Sequence, residues 1–252
     1  MTYATNLVSD VSITRAGLRF QYRFAPKGLP RLVVMMPAVA HRGSREPAAD
    51  YVHRVKWAPE IRGDVLYVAE PTLQLSGDLS GGWFICHGAP HALPAIAADI
   101  AWHMCQGNYD ELVIYGSIMG GFGALALGRW LPEARIVAEC PQIDLSKYYP
   151  KFLRRLQAVC RCAEPRHYDV SEMWKVARPE DATLIVRQSD THHRKEHAPL
   201  LKGLVRTIVH DDREDASKGH SPLAKGIVLP MINTPPRPDT TPAPHGDTLR
   251  TI

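Results

Sequence analysis

The segment Tyr115-Gly116-Ser117-Ile118-Met119-Gly120-Gly121 has the spacing of a turn built to present one side chain. Glycines stand two positions either side of residue 118. Residues 111–115 before them read as a buried strand, and 120–130 after them as a small-residue helix. A sharp strand-to-helix turn of the G-x-S-x-G kind holds a serine nucleophile for acyl chemistry. In that register the nucleophile position is residue 118, and it is Ile118. An aliphatic side chain has no lone pair and cannot attack a carbonyl. Ser117 stands one place early, with Tyr115 and Met119 as its flanks, and is expected to point away from the site. A β-branched residue at a positive-φ turn costs on the order of 1–3 kcal/mol, so Ile118 is either an introduced change or a natural loss of the nucleophile. A nucleotide-binding reading of the glycines fails, because the run is neither G-x-G-x-x-G nor a P-loop with its lysine.

The other clusters carry less. Cys160-Arg161-Cys162, with His167 nearby, has no second pair to complete a tetrahedral zinc site. His193 and His197 are spaced i, i+4 with His192 beside them, but the interleaved Arg194 and Lys195 predict a solvated helix face. No metal and no other cofactor is expected. The five cysteines are odd in number and scattered, which fits reduced thiols in a cytoplasmic chain better than a disulfide framework. The N-terminus lacks a signal pattern, and no apolar stretch approaches the ~18–20 residues of a membrane span. Thirty basic against 26 acidic residues leave +4. That excess is spread out, with no basic stripe interleaved with aromatics, so nucleic acid is not an expected partner. The densest basic group, Arg154-Arg155 through Arg166, reads as a solvated helix face.

Elements that would position the turn follow from patterning. Residues 18–24 alternate apolar and polar, as in a half-buried strand near a sheet edge. Residues 31–36, 64–69 and 111–115 are apolar runs that predict buried parallel strands; 135–140, closed by Pro141, is another strand, and 183–187 and 204–209 are the last two. Residues 94–105 have helical spacing, with Ile96, Ile100, Trp102 and Met104 among the apolar positions, and Pro94 suits the first helical place. Further helix is expected over about 150–177, as an insertion, and around 193–202. Strands separated by helices predict a mostly parallel central sheet with helices on both faces. The expected organisation is one α/β domain over 1–233, followed by a proline-rich, flexible tail over 234–252.

The run Tyr-Gly-Ser-Ile-Met-Gly-Gly-Phe-Gly-Ala-Leu from Tyr115 resembles the Tyr-Gly-Ser-Ser-Met-Gly-Gly elbow of bacterial α/β-hydrolase-like proteins. Some of these are esterases and some are linked to polysaccharide or glycoconjugate assembly. Val68-Ala69-Glu70-Pro71-Thr72-Leu73, Gly82-Trp83-Phe84 and Pro141-Gln142 extend the similarity over most of 30–220. The resemblance implies the α/β-hydrolase fold and a chain order of nucleophile, acid, histidine. It puts the acid at Asp190, which is equally suited to cap a helix, and the general base at His220. Asp211, Asp212 and Asp215 are competitors for the acid, but they lie in the histidine's own loop. Backbone N–H groups of Met119 and of Val39 or Ala38 would form the oxyanion hole. Trp83 and Trp57, with Phe84, are candidates to line a substrate pocket or to pack in the core. The implied function is a serine esterase or acyl-transferase lineage acting on a small-molecule or glycan ester, impaired by Ile118. The alternative is a non-catalytic binding or assembly protein that keeps the pocket.

Overall fold

The computed structural model describes residues 8–39, 50–85, 92–160, 164–212 and 219–235. Among these residues, eight strands form one sheet in the order β1-β2-β4-β3-β5-β6-β7-β8. They are β1 (Ser9–Arg15), β2 (Leu18–Ala25), β3 (Arg31–Met35), β4 (Asp64–Val68), β5 (Glu111–Ser117), β6 (Arg135–Glu139), β7 (Asp181–Arg187) and β8 (Arg206–His210). β1 and β2 pair antiparallel, as do β2 and β4, and every later pairing is parallel. All six expected strands are present, but β8 lies at the sheet edge with every residue exposed or half-buried. β1 is an addition outside β2: its residues are exposed or half-buried, so it carries little of the apolar signal by which strands are read.

Successive residues of a strand face opposite ways, and β3 shows the result. Leu32 and Val34 enter one apolar cluster, and Val33 and Met35 the other. The first cluster is covered by helices α1 (Ala92–Gly107), α2 (Met119–Leu127), α3 (Pro150–Val159) and the short α5 (Val170–Met173). α4 (Pro165–Tyr168) lies between α3 and α5. The second cluster is covered by a 3-10 turn, Val55–Glu60, and by α6 (Lys225–Asn233). Helices therefore sit on both faces.

Three expectations need correction. Trp102 does not join the buried face of α1; it is 58% exposed, while Ile96 and Ile100 are fully buried. The segment after β7 is a π-helical turn, His193–His197, running into a 3-10 turn, Ala198–Leu201. It is also not a solvated face throughout: His193 and His197 are each 1% exposed, while Lys195 and Glu196 between them turn outward. The basic residues Arg154, Arg155 and Arg166 are exposed, as expected. No helix of the described residues is long and apolar enough to cross a membrane. Residues 236–252, most of the proposed tail, lie outside the described residues, as does Asp215.

Candidate active site

The parallel strands end along one edge of the sheet, and the site residues follow those ends. Ile118 follows β5 with φ 56° and ψ −117°, at the N-cap of α2. Two glycines permit this turn. A Cβ on Gly116 would lie 2.0 Å from the carbonyl oxygen of Gly120, and one on Gly120 would lie 2.4 Å from that of Pro37. The second approach also brings the start of α2 against the Met36–Val39 segment. Met119 and Ala38 are buried and Val39 is half-buried. The Ile118 N–H donates to the Glu139 carbonyl at 2.8 Å, which ties the turn to the end of β6. Ser117 is fully buried, and its Oγ has no hydrogen-bond partner among the described residues.

Asp190 lies three residues beyond β7. His220 Nδ1 lies 2.9 Å from its Oδ2. Asp190 also accepts from the His193 N–H at 3.1 Å, so the carboxylate that faces His220 is at the same time a helix cap. Burial disfavours its charge, but bonds from His193 and His220 outweigh this and hold its pKa well below the usual carboxylate range. Asp212 is occupied elsewhere, accepting from Ser189 N–H at 2.9 Å and from Arg187 at 3.2 Å. Arg187 in turn donates to the carbonyls of Ser221 at 2.7 Å and Pro222 at 3.0 Å. Glu139 accepts from Leu223 N–H and from Tyr115 Oη, the latter at 2.6 Å. The segment carrying His220 is thus clamped from β6 and from β7. Burial raises the Glu139 pKa, partly offset by Arg54.

Residues given no site role from the sequence, His193, Gln142 and Tyr148, gather around the pair together with Trp83. His193 stacks on His220 with ring centroids 4.0 Å apart and planes 5° from parallel. Its Nδ1 lies 3.1 Å from Asp190 Oδ1. Gln142 Nε2 faces His193 Nε2 at 3.2 Å and His220 Nε2 at 3.4 Å. Trp83 Nε1 donates to Gln142 Oε1 at 3.0 Å. The half-buried Tyr148 lies against the rings of His193 and His220 at 5.8 and 6.3 Å, with its pKa pushed by burial up to about 12. Periodicity offered one clue: i, i+4 spacing puts His193 and His197 on a common face. Burial lowers both their pKa values, His197 to about 3.

Trp83 therefore reaches the site as a buried residue, 2% exposed. The structure does not bring Trp57 to it. Trp57 packs with the opposite cluster, 6.2 Å from the Tyr115 ring, under the Arg54 guanidinium at 4.2 Å. Donor atoms of Cys140, Asp190 and His220 lie within 4.8 Å of one another. Asp190 and His220 are already bonded to each other, and burial pushes the Cys140 thiol up to about 12. This group fits a packed hydrogen-bonded pair better than an ion's ligands.

No family model and no curated protein matches the sequence. The fold does have counterparts. The capsule O-acetyltransferase of Neisseria meningitidis serogroup A, also solved in complex with CoA, superposes with a TM-score of 0.64 at 15% identity over 92% of this chain and 98% of that one. An S-formylglutathione hydrolase from Agrobacterium tumefaciens gives 0.59 at 15% identity, over 90% and 91% of the two chains. Carboxyl esterase 2 from Tuber melanosporum gives 0.58 at 13%, over 92% and 87%. The chain has the α/β-hydrolase fold.

Proposed function

We propose that this chain carries an acyl-ester site of the serine-hydrolase and acyl-transferase type from which the nucleophile is absent. One observation carries the reading. Residue 118 holds the strained conformation of a nucleophile turn, φ 56° and ψ −117°, while an acid–histidine pair stands assembled at 2.9 Å. A positive φ at a β-branched residue costs free energy, and the turn is kept despite it. The solved counterparts, an O-acetyltransferase and two hydrolases, support acyl chemistry as the lineage, although fold alone does not assign function. With serine at 118, Oγ would attack the ester carbonyl. His220 would take its proton, Asp190 would orient the imidazole, and the N–H groups of Met119 and Val39 would receive the oxyanion. With Ile118 the chain binds a small-molecule or glycan ester without forming the acyl intermediate. The second reading, a binding or assembly protein, draws on Ile118 itself.

The test is Ile118→Ser assayed on short acyl esters and acetylated sugars. Loss of a triad nucleophile costs about 10⁶ in turnover in a well-studied protease, so a gain of roughly several hundredfold is expected even on a poorly matched ester. Adding His220→Ala should remove that gain. Equal inactivity of the two proteins across the panel would favour the binding reading. Activity of the given chain that survives Ile118→Ala and dies with Ser117→Ala would move the nucleophile to Ser117.

A further inference from the structure

A histidine's tautomer is fixed by what its two nitrogens face, and here the chain of partners ends on a group with no choice. The indole N–H of Trp83 can only donate. It lies 3.0 Å from the Gln142 side chain, so the amide oxygen must face it. The amide nitrogen then faces the imidazoles, 3.2 Å from His193 Nε2 and 3.4 Å from His220 Nε2. An amide NH₂ has two hydrogens to donate and no lone pair to offer. Both Nε2 atoms must therefore accept. On the other side Asp190, an acceptor when ionised, faces both Nδ1 atoms at 3.1 and 2.9 Å. Each ring carries its proton on Nδ1 and a lone pair on Nε2, and every polar group in the ring of contacts is satisfied.

We propose that Trp83 and Gln142 are positioning residues that fix the tautomer of the paired imidazoles His193 and His220, holding the proton of each on Nδ1 and its lone pair on Nε2. The functional use of this arrangement rests on the acyl-ester reading, because a general base must offer a lone pair on the nitrogen turned away from its carboxylate. The tautomer assignment itself does not. His193 fixes the plane of His220 by stacking on it and shares its carboxylate. Among the described residues, the groups facing the pair besides Asp190 and Gln142 include Cys140, Tyr148, His192 and His197.

Long-range ¹H–¹⁵N correlation of histidine side chains tests this in the full chain, with single histidine variants supplying the assignments. At neutral pH both rings should show a protonated Nδ1 and a bare Nε2. Gln142→Glu keeps an oxygen for Trp83 but turns the two donors into acceptors. At least one ring should then gain a proton on Nε2 at the same pH. Trp83→Phe frees the amide to rotate and should give His220 a mixture of tautomers. If that variant does not fold, the first two spectra decide. An Nε2-protonated tautomer on His220 in the unaltered chain, or an unchanged Nε2 in Gln142→Glu, would overturn the proposal. No ester enters these measurements. An inert Ile118→Ser variant would therefore sink the acyl-ester reading alone, and a wrong tautomer this inference alone.

Discussion

Glu70 shows how far the demands of a site reach into single residues. Its carboxylate is fully buried just after β4, where it accepts from the N–H groups of Thr72 at 3.1 Å and Phe84 at 3.0 Å. It thereby holds the turn through Trp83 and Phe84, two residues with φ of 47° and 60°. A Cβ on Gly82 would lie 2.1 Å from Glu70 Oε2, so only glycine lets the carboxylate in. Burial pushes its pKa from 4.5 up to about 7. Between those values the folded state binds more protons than the unfolded one, so this group's contribution to stability falls as pH rises through that window and is level beyond it. The loss is on the order of 3 kcal/mol. Glu70→Gln cannot titrate, and its stability relative to the unaltered protein should rise between pH 5 and 8. Urea denaturation at the two pH values reads this directly; parallel stabilities would show that Glu70 is already ionised at pH 5. At this scale the sequence exposes residues whose type is rare for their place: the flanking glycines, the misplaced isoleucine, an aspartate and a histidine in the right order. Gln142 and His193 escape because their meaning lies in distances to partners 51 to 78 positions away.

Helix α6 is an element whose signal was hidden. It contains Gly226 and Pro230 within nine residues, and both oppose helix in a local reading. It forms because Val228, Leu229 and Ile232 complete the second apolar cluster, and because its C-terminal carbonyls find partners. Arg135 of β6 donates to the carbonyls of Met231 at 2.9 Å, Ile232 at 3.0 Å and Thr234 at 2.8 Å. The last carbonyls of a helix lack partners within it, and a cation there also meets the negative end of the helix dipole. Arg135→Met keeps the apolar stem but removes these bonds, while Glu111 retains Arg31 at 2.5 Å. We expect a loss of about 1–3 kcal/mol, seen as a lower urea midpoint at unchanged slope; a midpoint equal to that of the parent would mean that packing alone holds α6. The core strands were legible because strands buried on both faces are continuous apolar runs. β5 runs two residues beyond its apolar stretch because Gly116 and Ser117 still pair with Ala138 and Glu139, a bond pattern that side-chain character does not report.

Thiol accessibility reads the molecule as a whole. Cys105 is exposed, whereas Cys140, beside Asp190 and His220, and Cys160 are buried. The Cys160 Sγ donates to the Ile85 carbonyl at 2.9 Å. A buried thiol reacts only when its surroundings open, and opening of a core segment costs up to the global stability. Alkylation followed by peptide mapping should label Cys105 in the native state, and Cys140 and Cys160 only as urea unfolds the chain. Native labelling of Cys140 at the Cys105 rate would mean that the site edge opens independently of the sheet. That edge also gathers strained backbone: Trp83, Phe84, Ile118 and Cys140 have φ of 47°, 60°, 56° and 44°, each costing on the order of 1–3 kcal/mol outside a supporting structure. The consequence is one of portability. A loop grafted onto another scaffold, or a peptide spanning 111–127, would relax to negative φ and aim residue 118 elsewhere. On the proposed acyl-ester reading, the chemistry could therefore be rebuilt inside this chain by changing one side chain, but it could not be carried away from it by copying the segment that bears that side chain.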